Sequence, residues 1–204
     1  PDETGIYLDD HVGLGHARLS IIDLSTGGQP IHSEDESLWI IYNGEVFNYP
    51  DLKEDLLRKG HRFYTTTDTE VLLHLYEEHG PDCLARMNGQ FALAIWDARK
   101  KELFLARDRV GIRPLYYTIL DNTLIFASEI KSIFANKNVS RRIDPIAMDQ
   151  IFTFWTTLTP RTVFEDVYEL PPGHYLKTSN GKVIIRKYWD IPLYPRDEQF
   201  DLAP

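Results

Sequence analysis

Apolar runs and their punctuation divide the chain into recognisable pieces. The run at 38–42, LWIIY, has the length and the β-branched and aromatic content of a buried strand, and it leads straight into Asn43-Gly44. Asn-Gly is the commonest two-residue hairpin turn, but a hairpin needs a second strand directly behind it. After Glu45, Val46 and Phe47 the chain reads Asn48-Tyr49-Pro50-Asp51, an Asn cap with an early proline, then Leu52, Leu56 and Leu57 on one helical face up to Gly60. The pattern therefore predicts a strand, a short loop and a helix.

Residues 4–24 read as strand, turn and strand, punctuated by Asp9-Asp10 and Gly13 and closed by the loop at 25–30. Val71, Leu72, Leu75 and Tyr76 recur at helical spacing before a stop at Gly80, and Thr67 with Glu70 fits a reciprocal capping box at the start of that helix. A short helix is expected at 81–87. From Gln90 the period changes to β: QFALAIWD and ELFLARD make one antiparallel pair, LYYTIL and LIFASEI another across Asp121-Asn122. Residues 130–135 and 145–154 read as helices. The segment 162–189, with a turn at Asn180-Gly181, reads as a further β excursion onto the same core. From Asp190 the chain is proline-rich and acidic without periodicity, as at the start of a linker. Antiparallel strands in two groups with helices before and after favour an α+β sandwich.

Composition narrows the function classes. A chain of 204 residues, 43% hydrophobic and 26% charged, suits one globular domain large enough to bury a core. A net charge of −9 with a pI near 5.2 argues against a nucleic-acid or anionic-membrane partner, both of which favour a basic face. No apolar run reaches membrane-spanning length and no basic-then-apolar leader opens the chain, so a cytoplasmic protein is expected. The single cysteine, Cys83, excludes an internal disulfide framework and a multi-cysteine zinc site, and the seven histidines show no metal-ligand spacing. No phosphate-binding glycine loop is present. Pro1 opens on ordered-looking sequence without a methionine, so an upstream segment is expected.

Three features could carry chemistry, and two others read as structural. A side-chain amide and a glycine N–H set side by side at Asn43-Gly44 are neutral donors that could hold a developing oxyanion. Arg18 stands inside a strand pattern, where it is either an ion-paired surface residue or a fork for a substrate carboxylate. Asp68 either favours the dipole of the helix it opens, or is free to meet a substrate ammonium. Cys83 has no motif around it that would lower its pKa and reads as a small buried apolar residue. In ARDRVGIRPLYY the arginines alternate with Asp108, which favours an internally salt-bridged loop over a phosphate grip.

Set side by side, GLGHARLSIIDLSTGGQP, YNGEVFNY, TTDTEVLLHLYEEHG, NGQFALAIWD, LARDRVGIRPLYY, FASEIKS and LPPGHYL resemble the class II glutamine amidotransferase domain of glutamine-hydrolysing asparagine synthetases. The resemblance covers residues 1–189, leaving 190–204 as the start of a linker to a synthetase domain. It implies an N-terminal-nucleophile fold, an αββα sandwich of two antiparallel sheets between helical layers. It implies glutamine hydrolysis to glutamate and ammonia by a cysteine at the mature N-terminus, with the chain's own terminal amine as base. By the same resemblance Arg18 grips the α-carboxylate of L-glutamine beside Leu19, Ile21 and Ile22. Asn43 and Gly44 form the oxyanion hole, Glu45 lies near the substrate amine, and Asp68 is its main ammonium partner.

The family's opening segment, from its terminal cysteine to Pro1-Asp2, does not stand in this sequence, and Cys83 falls at a helix position. Residues 1–204 alone are therefore expected to be inactive as a glutaminase, with an unpaired sheet edge. No cofactor is expected in this domain; ATP and Mg²⁺ belong to the synthetase domain, the expected partner, which would amidate aspartate. A homodimer is compatible with this reading. The alternatives are a non-catalytic scaffold, as in proteins similar to β-lactam synthetases, and another class II amidotransferase serving sugar or purine amination.

Overall fold

The computed structural model describes residues 3–18, 27–179 and 181–192. In chain order the strands and helices are β1 (Glu3–Leu8), β2 (Gly13–Arg18), β3 (Ile31–His32), β4 (Leu38–Val46), α1 (Tyr49–Arg58), α2 (Asp68–His79), a 3₁₀ turn (Gly80–Ala85), β5 (Gly89–Asp97) and β6 (Glu102–Arg107). They continue with β7 (Tyr116–Leu120), β8 (Thr123–Ala127), α3 (Ile130–Ile133), α4 (Pro145–Phe154), β9 (Tyr168–Glu169), β10 (His174–Ser179) and β11 (Lys182–Lys187).

A six-stranded antiparallel sheet, ordered β11-β10-β6-β5-β4-β3, forms one layer. The opposing layer comes in two pieces among the described residues, the hairpin β1-β2 and the three-stranded β8-β7-β9. Period-two alternation explains the layering. Along β4, Leu38, Ile40, Tyr42 and Val46 pack with Leu52 and Leu56 of α1 and with Val71, Leu72 and Leu75 of α2, so those helices cover one face. From the other face Ala92, Ala94 and Trp96 of β5, with Leu103 and Leu105 of β6, meet Leu14, Leu115 and Tyr117 from the opposing layer. A small third cluster, Ile133, Val139 and Val167, seats α3. Helix, sheet, sheet, helix is the order of layers.

Three local expectations change. The strand at 38–42 does not stop at Asn43-Gly44: β4 runs on to Val46, with Gly44 opposite Phe91 and Val46 opposite Gly89. A Cβ on Gly44 would lie 2.1 Å from the Gln90 carbonyl oxygen, and one on Gly89 would lie 2.3 Å from that of Glu45. The two glycines let β4 and β5 close on each other, so Gly44 serves a close backbone approach and not a turn.

Asn48 does not cap α1 through its side chain. Its amide instead donates to the Arg86 carbonyl and accepts from the Asn88 N–H, both at 2.9 Å, fastening the helix start to the segment before β5. Leu57 is exposed, because the buried stripe of α1 runs along Leu52 and Leu56 at a four-residue spacing.

Only half of the capping box at α2 forms. Thr67 accepts from the Glu70 N–H, but the Glu70 carboxylate reaches back past the cap to the N–H groups of Tyr64 and Thr65, at 2.8 and 2.7 Å. The approach to α2 is thereby pinned from inside the core, since Glu70 is fully buried.

Candidate active site

A cavity of about 840 Å³ opens between the two sheet layers, bordered by β2, the end of β4, the start of α2, β5 and the β7-β8 side. Asn43, Gly44, Glu45 and Asp68 all line it. Residues separated in sequence by a strand end, a helix and a loop thus share one wall. Arg18 closes β2 in register with Glu3, one residue beyond the cavity-lining Ala17. The Arg18 side chain, and Leu19, Ile21 and Ile22 altogether, lie outside the described residues.

Asp68 is the charged centre of this wall. It is the first residue of α2 and only 5% exposed. Its Oδ2 accepts from the Tyr42 hydroxyl at 2.9 Å and from the Val46 N–H at 3.2 Å. Burial pushes its carboxyl above the ordinary value, against the lowering pull of Tyr42 and of the N–H groups of Val46 and Thr69. All of those donors are neutral. A carboxylate oriented by neutral donors, at a cavity wall, keeps capacity to accept from a cation in the cavity.

Asn43 lies half-buried with no hydrogen bond to its side chain among the described residues, so its amide is available to a ligand. Glu45 is exposed at the rim.

Residues that the sequence pattern did not single out hold this wall in place. Gln29, expected in a loop, is buried; its Oε1 accepts from the Tyr42 N–H at 2.6 Å and its Nε2 donates to Thr69 Oγ1 at 3.3 Å, bracing β4 against α2 beside Asp68. His16 Nε2 stands 3.0 Å from the Tyr42 carbonyl oxygen, tying β2 to the same strand. By its place in the run 38–42, Tyr42 reads as one more apolar strand residue. Its hydroxyl was the available signal, because a buried phenol needs a partner.

The opposite wall rests on the loop after β6, and here the salt-bridge expectation is corrected. Asp108, fully buried, pairs with no arginine among the described residues. Its carboxylate accepts four backbone N–H bonds, from Phe91, Val110, Ile112 and Arg113, at 3.0–3.2 Å. Arg107 donates to the carbonyls of Arg113, Gly111 and Leu170 and pairs with Glu169 at 2.8 Å. A tight loop leaves many inward-facing backbone groups, and one carboxylate plus one guanidinium satisfy them together. The loop delivers Arg113 and Leu115 to the cavity.

Cys83 is 2% exposed in the core, away from the cavity lining, and burial pushes its thiol up to about 12. A thiol so disposed is no nucleophile at neutral pH.

No helix among the described residues is long and apolar enough to cross a membrane. The sequence profile of the glutamine amidotransferase domain matches residues 1–189. The chain is 39% identical to asparagine synthetase [glutamine-hydrolyzing] 3 of Bacillus subtilis, covering 98% of this chain and 33% of that protein. It is 39% identical to the amidase chry2 of Gibberella zeae, covering 96% of this chain and 29% of that protein. The chain thus spans about a third of the length of these relatives. Among solved structures, glutamine phosphoribosylpyrophosphate amidotransferase from B. subtilis superposes with a TM-score of 0.61 at 25% identity, over 87% of this chain and 35% of that one. The layered α+β architecture is the N-terminal-nucleophile amidotransferase fold, and the chain belongs to the glutamine amidotransferase domain family.

Proposed function

We propose that residues 1–189 bind L-glutamine in the cavity and form the ammonia-producing half of a glutamine-hydrolysing asparagine synthetase, with 190–204 leading to the synthetase half. The observation that carries this is Asp68, a buried carboxylate at the cavity wall, held by neutral donors alone. In this assignment Asp68 takes the substrate's α-ammonium, Arg18 its α-carboxylate beside Leu19, Ile21 and Ile22, and Glu45 borders the amine. The side-chain amide carbonyl then faces Asn43 Nδ2 and the Gly44 N–H.

Attack on that carbonyl needs a thiolate, and the burial of Cys83 disqualifies it. We assign the attack to an N-terminal cysteine upstream of residue 1, whose own amine takes the thiol proton. The carbonyl oxygen becomes an oxyanion held by Asn43 and Gly44, and such a donor contributes about 3–4 kcal/mol to the barrier reduction. Collapse expels ammonia with the transferred proton, and water cleaves the thioester to glutamate. The synthetase half would use ATP with Mg²⁺ to activate aspartate, which the ammonia then attacks.

The test is to incubate the natural chain carrying these residues with glutamine, aspartate and ATP–Mg²⁺, and to quantify glutamate, asparagine and AMP. Equimolar formation of the three is expected, and Cys83→Ala should leave the rate unchanged. Glutamine turnover without any asparagine would overturn the synthetase assignment. Residues 1–204 by themselves should release no glutamate; turnover near that of the natural chain would refute the upstream nucleophile.

A further inference from the structure

Further along α2 from Asp68, side chains from three stretches converge: Glu34 from the turn after β3, His61 from the segment after α1, and His74 and Glu77 from α2. Ligand atoms of Glu34, His61 and His74 all lie within 4.8 Å of one another. His74 Nδ1 is 3.2 Å from Glu77 Oε2 and 3.9 Å from Glu34 Oε2, and His61 Nδ1 is 3.6 Å from the same oxygen of Glu77. A tetrahedral ion bound at about 2.0–2.1 Å holds its ligands roughly 3.4 Å apart, and the three separations of 3.2, 3.6 and 3.9 Å lie on either side of that value.

The second nitrogen of each ring faces a carboxylate, at hydrogen-bond distance for His61 and beyond it for His74. His61 Nε2 stands 3.1 Å from Glu78 Oε1, and His74 Nε2 stands 3.8 Å from Glu70 Oε1. Metal-bound imidazoles characteristically offer their other N–H to a carboxylate, which fixes the ring and raises its basicity. His74 is 1% exposed, and its Nε2 has no partner at hydrogen-bond distance among the described residues. Glu70 is held in place by the N–H groups of Tyr64 and Thr65.

Charge favours a cation too. Glu34, Glu70, Glu77 and Glu78 surround the two imidazoles, and Lys59, 2.5 Å from Glu78, is the one lysine or arginine side chain paired with these carboxylates among the described residues. Glu34 and Glu77 are partly exposed while His74 forms a buried floor, so an ion can enter from solvent.

We propose that Glu34, His61, His74 and Glu77 form a zinc-class divalent cation site. Four protein ligands close the coordination sphere, which makes the site structural. It clips the turn after β3 and the α1–α2 connection to the helix that presents Asp68. The proposal is independent of the glutaminase reading.

The test uses the metal-stripped natural chain, with excess Mg²⁺ present to occupy hard-cation sites. Titration with Co²⁺ should develop the intense visible bands of a tetrahedral ion, and Zn²⁺ should displace it at one equivalent and raise the thermal midpoint. His61→Ala and Glu77→Gln, both near the surface, should each weaken binding at least tenfold with an unchanged far-ultraviolet dichroism spectrum. Glu78→Gln, behind His61, should weaken it by about tenfold. Absence of the Co²⁺ bands, or the same bands and Zn²⁺ stoichiometry in a His61→Ala/Glu77→Gln double variant, would overturn the site and leave an imidazolium–carboxylate network in its place.

Discussion

The phenol of Tyr42 donates to Asp68 Oδ2 across 2.9 Å, joining the middle of β4 to the first residue of α2. Both groups are buried. Burial and the neighbouring carboxylate hold the phenol protonated far above its usual range, so it is a permanent donor. The carboxylate is thereby aimed at the cavity in one orientation.

Tyr42→Phe should therefore loosen the carboxylate without removing its charge. A hydrogen bond to a charged group contributes about 1.5–3 kcal/mol, so the KM for glutamine should rise about tenfold or more while kcat changes little. Steady-state glutaminase kinetics of the natural chain decide it. A fall in kcat at constant KM would contradict a binding role for this pair.

Asp68 itself costs the empty domain stability at neutral pH. Its folded pKa is raised above 3.8 by burial, so the native state holds the proton more tightly than the unfolded chain. Its favourable contribution is present below pH 3.8 and is lost as pH rises through the folded pKa. Asp68→Asn should consequently raise the thermal midpoint at pH 7, with the gain shrinking towards about pH 4, while glutamine binding is lost. Thermal unfolding at the two pH values checks the sign, and a lower midpoint at pH 7 would show that the carboxylate stabilises the fold.

Asn43 and Gly44 should separate chemistry from packing. Asn43→Ala removes an amide that bonds nothing among the described residues, so stability should hardly change while kcat falls about 10²–10³-fold. Gly44→Ala drives a methyl to 2.1 Å from the Gln90 carbonyl oxygen, and overpacking of that kind costs about 1–3 kcal/mol or more. Comparing unfolding midpoints with kcat for the two variants distinguishes the roles.

Asp108→Asn keeps the size of the side chain but turns one of its acceptor ends into a donor facing backbone N–H groups. Of the four bonds it now accepts, those on that end are lost, at about 1–3 kcal/mol for each buried group left unpaired. The thermal midpoint should drop, and the KM for glutamine should rise as the Arg113–Leu115 wall shifts. An unchanged midpoint would mean that Arg107 alone holds the loop.

The order of strands and helices was legible in the sequence because each has its own period. The apolar runs within 90–107, the helical spacing of Val71, Leu72, Leu75 and Tyr76, and the Asp121-Asn122 turn all reappear as β5, β6, α2 and the β7-β8 hairpin. Both residues of that turn have positive φ, 47° and 64°, as a two-residue hairpin requires. The family was legible as well, through motifs spread over nearly the whole chain. The misjudged end of β4 had a physical source: Gly44 fits a turn and a close strand approach equally well until Gly89 is seen opposite Val46.

Periodicity, capping and turn chemistry are local, so the residue order was enough to specify most of the elements, their succession and the candidate donors and charges. Packing in three dimensions was needed to establish that Tyr42 and Gln29 orient Asp68, that Asp108 serves four N–H groups instead of an arginine, and that His61 and His74 meet between Glu34 and Glu77. Each of those contacts joins residues whose nearness depends on how β4, α2 and the surrounding turns pack. The partner of a buried polar group is chosen by the space left around it, and no local period along the chain records that choice.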